Sequence, residues 1–200
     1  MKNTFKTLRL WEAAALIALS AALCAGTWAQ SRQSSISSEL VRLHVVAVSD
    51  DASEQALKLQ VRDAVLAYLS PMLEDTEGAQ EAKAVIRENL EGIALAATGA
   101  SEGREVKVTL ARESFPTRQY EGFTLPAGEY DSLRVVLGEG LGHNWWCIVF
   151  PPVCVSAAEA DRLQEVMAPE DLKIITEDEG YELRFKIVEL WGELKNRLAE

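Results

Sequence analysis

The chain has 200 residues, with 31 acidic against 20 basic side chains and a formal charge of −11 at neutral pH. A field of that sign argues against nucleic acid and against electrostatic docking to anionic lipid, because both need basic patches. The roughly 170 residues that follow the leader described next suit one domain with a sizeable core.

Lys2, Lys6 and Arg9 precede an Ala/Leu run at residues 13–25, interrupted by a single Ser and followed by Gly26, Thr27, Trp28 and Ala29. This is the layout of a signal peptide, residues 1–29. Its apolar stretch of thirteen residues, or seventeen if extended to Ala29, falls short of the ~20 that a spanning helix wants. Cleavage between residues 25 and 30 is therefore expected, with an uncleaved anchor as the alternative. Loss of the leader removes three cations and one anion, taking the net charge from −11 to −13. A lipoprotein reading of Cys24 is poor, since Leu23 stands where a small residue is wanted.

Residues 30–39 are Ser- and Gln-rich and read as a flexible leader to a single domain over residues 40–200. LVRLHVVAV, residues 40–48, is β-branched and short, which predicts a buried strand. His44 lies in its middle. Asp51 with Glu54 matches a capping box and opens a helix over residues 52–72, with Leu57, Val61, Ala64, Val65, Tyr68 and Met72 on one face. Ser70 and Pro71 mark its end. A second amphipathic helix is predicted over residues 77–97, stopped by Gly99.

Beyond Gly103 the hydrophobic period shortens towards two. Val106, Val108 and Leu110 alternate with polar neighbours and predict a strand with one buried face. Residues 115–120 read as a bulged or edge strand, because Pro116 cannot donate to a ladder. Gly122, Pro126 and Gly128 punctuate a hairpin-like stretch, and residues 132–137 form another buried strand. The pattern predicts an α+β fold: two N-terminal amphipathic helices and a C-terminal helix packed on a mainly antiparallel sheet.

The costliest residues are concentrated in residues 138–154, GEGLGHNWWCIVFPPVC. Gly138, Gly140 and Gly142 alternate, which predicts a shaped loop whose backbone takes positive φ or passes close to another group. Trp145 to Phe150 is an apolar run of strand length that Pro151 and Pro152 terminate. With Cys24 in the leader, Cys147 and Cys154 remain as an even pair outside the membrane and form a disulfide candidate. The alternative is two buried thiols on neighbouring strands. A metal site is disfavoured because only His44 and His143 supply imidazoles and no short Cys/His spacing recurs.

Residues 157–167 read as a short polar helix and residues 169–180 as a connection with helical turns. Residues 181–200 alternate as a strand over Leu183, Phe185 and Ile187, but follow helical spacing through Trp191, Leu194 and Leu198. The helix is favoured.

Catalytic motifs are sparse. A cysteine hydrolase would use Cys147 as nucleophile with His44 or His143 as base. Burial in a strand would raise the thiol pKa, and no helix N-terminus follows to lower it. GEGLG lacks the dinucleotide spacing, and no cofactor is implied.

LVRLHVVAVSD, QALKLQVRDAVLAYLSP and FPTRQYEGFTLPAGEYDSLRVVLGEGLGHNWWCIVFPPVC together resemble the stage II sporulation protein R family of endospore-forming bacteria, over residues 40–154. Asp51 and Ala52 stand where that family often has Ser and Pro. The resemblance implies a signal secreted from the forespore. It acts between two membranes to trigger a membrane-embedded aspartic protease that processes the sigma-E precursor. It assigns no contact residues. From the residues themselves, the expected partner surface is Gly138, Gly140, Gly142, Asn144 and one of Trp145 and Trp146, with His44 and Asp50 as a second candidate. Strand alternation puts the two tryptophans on opposite faces.

Overall fold

The computed structural model describes residues 2–120, 122–151, 163 and 166–176, the side chains of residues 2–8 excepted. The helices are α1 (Lys2–Ser38), α2 (Ala52–Leu73), α3 (Ala79–Glu88), α4 (Leu90–Gly99) and α5 (Pro169–Thr176). The strands are β1 (Val41–Val46), β2 (Val106–Phe115), β3 (Arg118–Tyr120), β4 (Phe123–Leu125), β5 (Gly128–Leu137) and β6 (Asn144–Phe150).

Four strands form one sheet in the order β2-β5-β1-β6, and β3 pairs with β4 in a separate hairpin. The α+β class is as predicted, but the sheet is mixed. β2 and β6 run antiparallel to their neighbours, whereas the central pair β1/β5 is parallel, with Leu43 opposite Leu133 and Val45 opposite Val135. A parallel pair needs a long crossover. Here that crossover contains α2, α3, α4, β2 and the β3/β4 hairpin, a connection that local periodicity cannot reveal.

The helices α2, α3 and α4 cover one face. Leu57, Val61, Val65, Leu69 and Leu73 recur every fourth residue and line α2 with a buried stripe. It meets Leu43, Val45, Leu133, Val135, Cys147 and Val149 of the sheet in the main core. The stripe passes through Pro71, so α2 does not stop there. Pro71 is exposed in the last turn, where it removes one i→i−4 hydrogen bond without ending the helix, and Leu73 beyond it is buried. Asp51 holds the N-cap position, but its side chain makes no capping bond. Its carboxylate accepts from Ser49 Oγ at 2.8 Å, and Glu54 instead pairs with Arg104 at 2.6 Å. The capping box is thus present as a pattern and unused as a cap.

The single helix expected over residues 77–97 is two, broken at Asn89, whose φ of −106° and ψ of 11° leave the helical well. The break lets α4 approach α2 closely: a Cβ on Gly92 would lie 1.9 Å from Tyr68 Oη. α4 itself ends at Gly99, as read.

The second face of the sheet is covered by the last turns of α1, the β3/β4 hairpin and α5, through Ile36, Leu40, Phe123, Leu125 and Ile175. The stretch expected to be a flexible leader is therefore helical to Ser38, and Ile36 in it is fully buried. Its polar residues are not idle. Arg32 pairs with Glu170 at 2.6 Å and with Asp171 at 3.3 Å, and Ser35 Oγ donates to Asp171 at 2.5 Å. Composition reads such a segment as linker because it cannot show that a buried carboxylate on α5 awaits it. Farther up α1, Leu10, Trp11, Leu16, Ile17, Leu19 and Leu23 are exposed. This part of α1 is long and apolar enough to cross a membrane, and it is compatible with a signal sequence or an anchor. The helix expected over residues 181–200 lies outside the described residues.

Candidate partner-binding surface

The glycine loop joins β5 to β6 and is fastened along its length. Gly138 and Gly140 have φ of 55° and 66°, a region that side-chain-bearing residues rarely adopt. Gly142 serves a different need: a Cβ there would stand 2.2 Å from the Ser49 carbonyl oxygen. The Gly138 N–H donates to Glu105 O at 2.8 Å, Leu141 N–H to Val48 O at 3.3 Å, and Gly142 N–H to Ala47 O at 2.9 Å. The loop therefore lies directly on the segment that leaves β1.

α2 holds the same loop from behind. Lys58 is buried, and its Nζ donates to His143 O at 2.9 Å and to Gln55 Oε1 at 2.6 Å. Gln55 Nε2 in turn donates to Ser49 O at 2.7 Å. Burial pushes the Lys58 ammonium down, and the nearby Asp50 carboxylate partly opposes this. Asp50 also accepts from the His143 backbone N–H at 2.6 Å and contacts His143 Nδ1.

The two candidate patches thus form one surface. His44 Nε2 is 3.0 Å from Asn144 Oδ1, and His44 Nδ1 is 3.3 Å from Glu113 Oε2. Glu113 Oε1 receives Arg134 Nη1 at 3.2 Å. The two sets of contacts meet at the neighbouring residues His143 and Asn144, one held by Asp50 and the other by His44.

The tryptophans lie on opposite faces, as alternation requires, and each is half-buried under a guanidinium. Arg62 of α2 sits 4.6 Å from the Trp145 ring centre, and Arg118 of β3 sits 4.0 Å from that of Trp146. Trp146 also packs beside His44 and Phe115.

Cys147 is buried and faces the α2–α4 side, together with Leu43. His44 projects from the other face towards Glu113 and Asn144, while His143 is engaged by Asp50. The structure does not bring Cys147 and an imidazole together. Cys154 lies outside the described residues.

Sequence reading missed four residues. Lys58 and Gln55 look like the solvated face of an amphipathic helix, and Leu141 like loop filler. Arg42 offered one signal, a cation inside an otherwise apolar strand. It is fully buried between the rings of Phe115 (4.3 Å) and Tyr130 (5.1 Å). Its Nη2 donates to Tyr120 Oη at 2.6 Å and its Nε to Cys147 O at 3.2 Å. Nη1 has no partner among the described residues.

Fold and site together define an α+β domain behind an apolar N-terminal helix, with its densest polar network where β1 meets the glycine loop. The family model described as stage II sporulation protein R matches residues 37–160, more than half the chain, and the chain belongs to that family. The stage II sporulation protein R of Bacillus subtilis (strain 168) is 39% identical over 137 residues, covering 65% of this chain and 61% of the relative. The matched region thus spans about three fifths of that relative's length. No solved structure matches the chain. Family membership supports a role in sporulation.

Proposed function

We propose that this chain is a secreted sporulation signal. In this reading it is exported through its N-terminal helix and acts in the space between forespore and mother cell. There it switches on a membrane-embedded aspartic protease, which processes the sigma-E precursor. It carries no active site of its own; its output is a contact. The observation that carries this reading is that the family region, residues 37–160, contains the whole clamp of Lys58, Gln55 and Asp50 on the glycine loop. A loop built from three glycines and held by the buried Lys58 together with Gln55 and Asp50 suits a pre-organised binding surface.

The proposed contact surface is Gly138, Gly140, Gly142, Asn144 and one of Trp145 and Trp146, extended by His44 and Asp50. A Cys147–Cys154 disulfide would pin the end of β6 behind this surface. Co-expression with the protease and the sigma-factor precursor tests the function, with precursor processing scored in the presence and absence of this chain. Processing that does not depend on the chain would sink the proposal. Alkylation of exported protein under non-reducing conditions tests the disulfide, which predicts protection of Cys147 and Cys154 until reduction.

A further inference from the structure

We propose that Leu141, at the tip of the glycine loop, is the apolar anchor that docks into a pocket on a protein partner, and that this pocket is rimmed by basic side chains. The inference deepens the reading above and rests on its premise of a protein contact. Leu141 is 75% exposed. Outside α1, the other large apolar residue so exposed among the described residues is Leu95. Trp145 and Trp146, the anchors that residue type alone suggests, are each already covered by an arginine.

One exposed leucine is ordinary. The backbone beneath this one is not. It stands between Gly140, at positive φ, and Gly142, where no Cβ fits. Its own N–H is tied to Val48 O, and Lys58 fixes the next turn through His143 O. With the backbone fixed, docking costs only the rotamer freedom of the side chain itself and not the ordering of the loop. Glu139 and Asp50 near it are exposed, while Lys58, the cation that holds the loop, is buried. An anchor with that surround is complementary to an apolar pocket with a positive rim.

The test uses the full-length chain co-expressed with the protease and its precursor. Leu141→Asp lowers the processed fraction roughly tenfold, with accumulation and thermal transition unchanged, whereas Leu141→Met stays within about twofold of the native chain. Glu139→Lys reduces processing in the same direction, less steeply. Native-level processing by Leu141→Asp overturns the anchor and leaves the signalling role intact. A second arm places a photocrosslinking side chain at position 141, with position 95 as control. An adduct with the protease at 141 alone supports the anchor even if the native chain fails to promote processing, a result that would defeat only the signalling role. No adduct at 141, or adducts only with lipid or with a second copy of the chain, overturns it.

Discussion

The two faces of the four-stranded sheet come from the same strands and do different work. Along β1, Val41, Leu43 and Val45 point to the α2–α4 layer and belong to the apolar core there, while Arg42 and His44 alternate to the other side. There Arg42 is enclosed by aromatic rings, and Glu113, Arg134, His44 and Asn144 form a chain of polar contacts. Apolar burial gains free energy wherever it happens. A buried guanidinium first loses hydration, which its hydrogen bonds and ring contacts only offset. One face supplies stability, and the other spends part of it to fix where particular groups stand.

The largest expected effect tests the apolar face. Leu43→Ala should lower stability by about 3 kcal/mol, by lost transfer energy plus a cavity, read from urea denaturation of protein lacking residues 1–29. A cost below about 1 kcal/mol would mean that this layer is loosely packed, and the contrast between faces would fail. Next comes Arg42. Arg42→Ala strips the rings of their filling and removes the hydrogen bonds from the guanidinium to the Cys147 carbonyl and to Tyr120, for about 2 kcal/mol. Arg42→Met keeps the volume and removes the charge, and should cost under about 1 kcal/mol or stabilise. If Met is as damaging as Ala, the guanidinium contributes net stability and the two faces are more alike than proposed.

The same contrast decides what was legible in the sequence. Alternation in β1, β2 and β6 and the four-residue stripe of α2 can be read because apolar burial imposes one period per element. The three glycines could also be read, since few residues tolerate what that loop requires. The clamp could not. Lys58 and Gln55 are ordinary helix-surface residues until the loop of residues 138–143 arrives from far along the chain. The Ser/Gln segment before β1 read as linker for the same reason: its partners, Glu170 and Asp171, lie more than 130 residues away. The parallel β1/β5 pairing depends on topology alone. Local patterns report faces, whereas polar networks join elements that only the fold brings together.

Alkaline titration sharpens the comparison. The Tyr130 hydroxyl is buried and donates to Pro126 O at 2.7 Å, and burial pushes its phenol pKa well above the ordinary 10.0. Tyr120 shifts in the same direction, also mainly through burial. Above pH 10 the unfolded chain releases these protons while the native state keeps them. Stability that is fully present below pH 10 is therefore lost as pH rises towards the native-state values, at up to about 1.4 kcal/mol per pH unit for each tyrosine. Lys58 works the other way, because its lowered value makes stability rise with pH towards 10.5. The discriminating measurement is a difference: urea midpoints at pH 8 and pH 10.5 should fall further for the native chain than for Tyr130→Phe. Equal falls would remove Tyr130 as a source of the effect.

The smallest expected effect is the most direct test of what the polar face is for. Ser132 sits opposite Arg42 in the sheet register, fully buried, with its Oγ unpartnered among the described residues. A buried hydroxyl without a hydrogen bond has lost its hydration for no return, a cost of about 1 kcal/mol at the low end of the range for such groups. Ser132→Ala removes that penalty and forgoes only the small packing contribution of one oxygen. The variant should match the native chain within about 0.5 kcal/mol or exceed it by up to about 1 kcal/mol, measured as a shift of the thermal transition. Signalling should be unchanged, because Ser132 touches neither the loop nor its clamp. A loss of more than about 1 kcal/mol would mean that the hydroxyl is satisfied in solution and that this face, too, is assembled for stability.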